Sequence, residues 1–120
     1  MRRTTNRIAV EQAEGATVVR LTGEIDAALR GQAGAALAAA LGGGRPVVLD
    51  AAGIRFADST GVAFLLQCAR ACERAGLAVT LRDPPPQVVR VVRLLGVEDL
   101  LPTVRSADER LVVPGGRVGA

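Results

Sequence analysis

Histidine, lysine, tryptophan and tyrosine are all missing from this 120-residue chain, and its only aromatic residues are Phe56 and Phe64. Without histidine there is no ordinary general base near neutral pH, and the commonest metal ligand is lost as well. A serine or cysteine nucleophile would lack its usual activating partner, so an enzyme is not expected. With so few aromatic side chains there are no stacking platforms for bases. The arginines, which supply all of the positive charge, are scattered among acids rather than gathered on one stripe, so nucleic-acid binding is not expected either. The net charge is +3. Only two cysteines occur, Cys68 and Cys72, four apart in an expected helix and with no second ligand pair, which points to reduced structural thiols and no metal. The N-terminal MRRTTNRIAVEQ has no long apolar run, so neither a signal peptide nor a membrane insertion is expected, and the expected compartment is the cytoplasm. No bound cofactor is expected.

What the chain has in quantity is aliphatic: hydrophobic residues make up 49% of it, enough for one domain of ordinary size. Arg7 to Glu11 and Ala16 to Leu21 read as two strands of a hairpin around Glu14-Gly15. Leu29, Ala33, Leu37, Ala40 and Leu41 recur at helical spacing, with Asp26 placed to cap the helix and Gly42-Gly43-Gly44 placed to end it. Val47-Val48-Leu49 is short and continuously apolar, as in a strand covered on both faces. A second helix follows Asp58-Ser59-Thr60, and Leu77 to Leu81 is a further strand. After Pro84 to Pro86, the residues Val88, Val91, Val92 and Leu95 give a third helix that ends at Gly96. Pro102 to Arg105 reads as an edge strand, and Ser106-Ala107-Asp108-Glu109 has the capping-box form that opens a short last helix. The order ββαβαβαβ, with room for a final α, predicts an α/β domain whose mixed sheet is flanked by helices. The domain is expected over residues 1–114, with Gly115 to Ala120 as a frayed tail.

The stretch Phe56-Ala57-Asp58-Ser59-Thr60-Gly61 combines an acid, two hydroxyls and a glycine at the mouth of the second helix. Asp and Ser are preferred N-cap residues, because their side-chain oxygens accept from the orphan amides of the first turn. Capping therefore accounts for the local sequence, and a functional hydroxyl is compatible with it. A two-carboxylate protease site and a phosphate-cradling GxxxxGK[ST] loop are both excluded, the second because no lysine exists. Projected at 100° per residue, the helix carries Val62, Leu65, Leu66, Ala69 and Cys72 on one face, with Phe64, Cys68, Ala71 and Ala75 largely on the other. Phe64 therefore either packs against a neighbouring helix or stands exposed as an anchor for another protein.

Leu21-Thr22-Gly23-Glu24-Ile25-Asp26, Val47-Val48-Leu49-Asp50, Phe56 to Gly61 and Arg90 to Val97 together resemble the anti-sigma-factor antagonists of bacteria. That family is the STAS family, which also includes the cytoplasmic tails of sulfate transporters. The resemblance runs over roughly residues 7 to 110. It implies a compact sheet flanked by helices and a switch at one hydroxyl. Ser59 would be phosphorylated by an anti-sigma factor that is also a serine kinase, and a PP2C-type phosphatase would reset it. Thr60, where many relatives carry a second serine, is a minor candidate site. The resemblance places Gly23, Glu24 and Asp26 on a loop near Ser59; with Asp58, Thr60, Gly61 and Phe64 they form the expected partner-contact set. The alternative reading of Gly23, Glu24 and Asp26 is a turn and a helix cap. The unphosphorylated protein would bind the kinase and free the sigma factor, acting as a monomer or weak dimer. The alternative reading of the chain, with the same fold, is a STAS regulatory subunit of a membrane transport ATPase or a stress-signalling scaffold, without a phosphoserine cycle.

Overall fold

The computed structural model describes residues 6–107. The strands β1 (Arg7–Ala13) and β2 (Ala16–Ile25) form an antiparallel hairpin, with Ile8 opposite Leu21 and Val10 opposite Val19. Gly15 takes φ +80° in the turn, a conformation open to glycine at little cost. A single 3₁₀ turn, Ala27–Leu29, then leads into α1 (Arg30–Gly43). Strand β3 (Val47–Ala57), helix α2 (Ser59–Arg74), strand β4 (Val79–Arg82), helix α3 (Pro86–Leu95) and the two-residue strand β5 (Thr103–Val104) complete the order. The sheet runs β1-β2-β3-β4-β5, antiparallel at its first pair and parallel at the other three. It is the mixed sheet expected from the alternation of strands and helices.

Each helical crossover steps to the next strand in the same direction. Because such connections are right-handed, α1, α2 and α3 lie over one face of the sheet. That face carries Val19, Leu49 and Leu81 in register, each 0% exposed. Ala36 and Ala40 of α1, Leu65, Cys68 and Ala69 of α2, and Val88 and Val92 of α3 close over it in one aliphatic cluster. Burying each large aliphatic side chain stabilises the fold by about 1.5–3 kcal/mol.

None of α1, α2 and α3 lies on the opposite face. Val18, Val48 and Thr80 form one row across it, and Arg20, Asp50 and Arg82 form the next. Asp50 Oδ2 accepts from Arg82 Nη2 at 3.0 Å and from Arg20 Nε at 3.3 Å, while Arg20 Nη1 donates to Glu11 Oε1 at 2.6 Å. The result is a ladder of alternating charge over four strands.

Two strands are longer than their apolar cores. β2 continues through Thr22-Gly23-Glu24 to Ile25, and β3 continues past Leu49 to Ala57. β3 keeps its pairing through two register shifts, one between Asp50 and Gly53 and one between Ile54 and Phe56, each adding one residue on β3. At the first, a side chain on Gly53 would press within 3.1 Å of the Leu21 carbonyl oxygen, so the bulge runs through a residue without one. β4 starts two residues later than the apolar run from Leu77. Asp26 does cap, but it caps the 3₁₀ turn ahead of α1, its Oδ1 accepting from the Ala28 amide at 3.0 Å. Gly44 and Gly96 end α1 and α3 in the left-handed conformation, at φ +64° and +66°. The expected last helix lies, from Asp108 on, outside the described residues, as does the expected tail, Gly115 to Ala120.

Two predictions come from this packing. Burial, together with the neighbouring Cys72, pushes the Cys68 thiol up to about 12, and burial raises Cys72 as well. Both are free and buried. The native protein at pH 8 should therefore resist a thiol-reactive dye that labels both cysteines once urea unfolds it. For Asp50, burial alone would raise the carboxyl. Hydrogen bonds from Arg82 and the Ala52 amide, the Arg82 charge and the hydrogen bond from Arg20 outweigh burial and hold the group below the usual carboxylate range. A carboxyl depressed in the folded state stabilises above its unfolded pKa, about 3.9, and that contribution is lost as pH falls through the folded value. Asp50→Asn should lower the urea midpoint at pH 7, with its deficit against wild type closing between about pH 5 and pH 2.

Candidate functional site: the mouth of α2

Strands β2 and β3 are parallel and end side by side, with Ile25 opposite Ala57. The turns that leave them, toward α1 and α2, therefore open at the same edge of the sheet. In α/β folds this carboxyl edge is where ligands and partners are generally met. Two contacts lock the two turns together. The Asp58 amide donates to the Ile25 carbonyl at 3.4 Å, and the first turn of α2 lies so close to that carbonyl that a Cβ on Gly61 would overlap its oxygen. Gly61 is thus the residue whose missing side chain lets α2 start against β2. It is buried and conformationally ordinary, so its role is close approach rather than a special backbone angle.

Asp58 is the N-cap of α2. Its backbone is extended, its Oδ1 accepts from the Gly61 amide at 3.0 Å, and its carbonyl accepts the first helical bond from Val62 at 3.0 Å. Ser59 follows as the first helical residue and is exposed. Thr60 is half-buried and turns the other way, into a cleft of about 330 Å³ between α1 and α2 that Asp26, Arg30, Phe64 and Gln67 also line. The two hydroxyls of the motif are therefore not equivalent: Ser59 is presented to solvent, and Thr60 faces the helix pair.

On the other side of Ser59, Val62, Ala63 and Leu66 of α2 face Val91 and Leu95 of α3 across a shallow groove of about 500 Å³, with Asp58 and Ser59 at its rim. Leu95 is 53% exposed, and Phe56, two residues before Asp58, is 54% exposed. The hydroxyl thus stands at the border of an apolar surface. Because the unpaired amides of the first turn and the helix dipole converge there, the position also tolerates an added anion.

The residues expected from the sequence fall into three groups. Asp58, Ser59, Thr60 and Gly61 are together at the start of α2, and Asp26 shares the cleft with Thr60. Gly23 and Glu24 are at the same edge, but in β2 rather than on a loop. Gly23 holds φ +85° where the register shifts, and the Glu24 amide donates to Asn6 Oδ1 at 2.9 Å. Phe64 is 6% exposed and belongs to the core cluster. Its packing against α1 replaces the exposed-anchor reading, because α1 offers the small residues Ala33 and Gly34 at the cleft that Phe64 lines. The sequence reading missed Val91 and Leu95 as surface. Their signal is surplus: Val88 and Val92 already supply the buried face of α3.

A family model described as Mlab, STAS domain, matches residues 8–102. The chain belongs to the STAS domain family. Among solved structures it is similar to the anti-sigma factor antagonist SpoIIAA in its unphosphorylated form, at 26% identity and a TM-score of 0.62 over 72% of this chain and 82% of that one. It is also similar to an anti-sigma factor antagonist from Mycobacterium paratuberculosis, at 23% identity and a TM-score of 0.74 over 89% and 92%. The phosphorylated form of the Bacillus cell fate determinant SpoIIAA matches at 24% identity and a TM-score of 0.67 over 87% and 98%. No curated protein matches this chain. No helix among the described residues is long and apolar enough to cross a membrane.

Gly61→Ala should destabilise the protein by about 1–3 kcal/mol, the usual range for overpacking a tight contact. A urea unfolding curve checks it, with Gly34→Ala, where an added Cβ meets nothing within 4 Å, expected to be neutral or slightly stabilising.

Proposed function

We propose that this protein is a protein-binding switch of the anti-sigma factor antagonist kind, with Ser59 as the residue that is phosphorylated. The observation that carries the reading is the exposed Ser59 hydroxyl, held at the first position of a capped helix on the rim of an apolar groove. In the unphosphorylated protein a partner seats on Val62, Leu66, Val91 and Leu95, with the neutral hydroxyl at its edge. That partner is an anti-sigma factor with serine kinase activity, and its capture frees the sigma factor.

Phosphorylation adds about −1.5 to −2 charge and three strong acceptor oxygens at that rim, next to the Asp58 carboxylate. The partner surface would then have to desolvate a dianion it was not built to pair, while the first-turn amides of α2 stabilise the same charge in the free protein. Binding is lost and the fold is kept. In support, SpoIIAA takes this fold in both its unphosphorylated and its phosphorylated form. A PP2C-type phosphatase would complete the cycle. The protein itself is not an enzyme in this reading, and it works in the cytoplasm.

The test is a paired affinity capture from native lysate with wild-type and Ser59→Asp protein as baits, backed by circular dichroism to establish that both are folded. A kinase-type anti-sigma factor should be recovered with wild type and reduced by at least about tenfold with Ser59→Asp, equivalent to about 1.4 kcal/mol. Equal recovery of that factor by both baits would remove the phosphoserine mechanism. Equal recovery of a transport ATPase would favour the regulatory-subunit role instead.

A further inference from the structure

Helix α3 has a second exposed side, away from Ser59. There Arg90 and Arg93, with Arg105 from the residue after β5, line a groove of about 460 Å³ whose remaining walls are Pro86, Val89 and Leu94. Leu94 is 78% exposed, the most exposed large hydrophobic residue described. Among the described residues, no carboxylate lines this groove. Arg90 and Arg93 make no hydrogen bond or ion pair among the described residues, while Arg105 donates to the Pro84 carbonyl at 3.5 Å. The wall carrying Arg105 is tied down from below: Asp83, at φ +53°, accepts from the Ser106 amide at 2.9 Å and from the Ser106 hydroxyl.

We propose that this groove docks an acidic segment of a partner protein that also carries leucine or isoleucine side chains. The inference rests on the protein-binding reading above and adds a second contact to it. Charge complementarity selects the acidic character, since Arg90 and Arg93 line the groove without an ion pair among the described residues and Arg105, whose charge also acts on Asp83, stands beside them, and guanidinium forks pair carboxylates in bidentate fashion. The apolar wall selects the rest, because Val89 and Leu94 would stay wet against a ligand made only of charge. Leu94 and Leu95 are consecutive, so one partner can cover both sides of α3. Ser59 lines the other groove and not this one, so the affinity of an isolated acidic segment for the arginine side does not depend on the charge at residue 59.

The test uses a fluorescein-labelled peptide of about 14 residues built from Glu and Leu at helical spacing, read by fluorescence anisotropy against the full chain. Binding is expected for this peptide and not for its Lys-for-Glu counterpart, and it should weaken as NaCl rises from about 50 to about 300 mM. Arg90→Glu with Arg93→Glu should weaken it by at least about tenfold, and Leu94→Ser by several-fold, with circular dichroism unchanged. Ser59→Asp should bind the peptide like wild type, so loss of the phosphoserine reading and loss of this one are separable. Wild-type affinity in the double arginine variant would overturn the proposal. So would arginine-dependent binding to phosphatidylserine vesicles with no binding to the peptide. Tighter peptide binding by Asp108→Lys with Glu109→Lys would also overturn it, by assigning the groove to the chain's own acidic residues.

Discussion

The close approach of the first turn of α2 to the end of β2 is the constraint on which the rest depends. A helix can begin that near a strand only if the residue facing the carbonyl has no side chain, and Gly61 is that residue. Once it is in place, the cap at Asp58, the exposure of Ser59 and the inward turn of Thr60 follow from helical geometry. The glycine of the motif thus belongs to the architecture, and the serine is free to vary its chemistry without moving the frame. A hydroxyl on a surface loop would lack this property, since charge added there is free to reorder the backbone.

The second organising fact is that the helices share one face of the sheet. α1, α2 and α3 cover one side of the sheet, and the row Arg20-Asp50-Arg82 on the other side is held by charge. Arg20, Asp50 and Arg82 stand in register across three strands, and Glu11 extends the row onto a fourth. Arginine suits this position because its fork donates to two acceptors at once, as Arg20 does to Glu11 and Asp50.

Much of this was legible in the amino-acid sequence, and the failures have physical causes. The helices announced themselves through periodicity and through Asp58, Gly44 and Gly96 at their ends, all local signals. The far halves of β2 and β3 did not. Thr22-Gly23-Glu24 and Ala51-Ala52-Gly53 carry glycine and small residues that read as turn, and they are strand only because β2 and the twice-bulged β3 supply each other's hydrogen bonds. Local propensity holds no record of that pairing. Phe64 was ambiguous for a different reason. Its helix buries a face wider than one stripe, since α1 covers what the sheet does not. The apolar groove beside Ser59 depends on how α3 crosses α2, which appears in the sequence only as an excess of Val and Leu in Val88-Val89-Arg90-Val91-Val92-Arg93-Leu94-Leu95.

The charge ladder on the face opposite α1, α2 and α3 also makes the described part of the domain two-sided. Asp50 lies between two arginines, and Glu11 takes up the outer reach of Arg20, so the central row of that face carries its own counter-ions and offers little unpaired charge to a visitor. The helix-bearing side presents the opposite: an accessible hydroxyl, an open apolar groove and unpaired guanidinium groups. A neighbour held against the ladder side, whether a fused domain, a surface or a second module of a larger assembly, would leave Ser59 and the groove beside it unobstructed. The domain is in this sense a ready-made insert, with a back that can be mounted and a front that stays available to read.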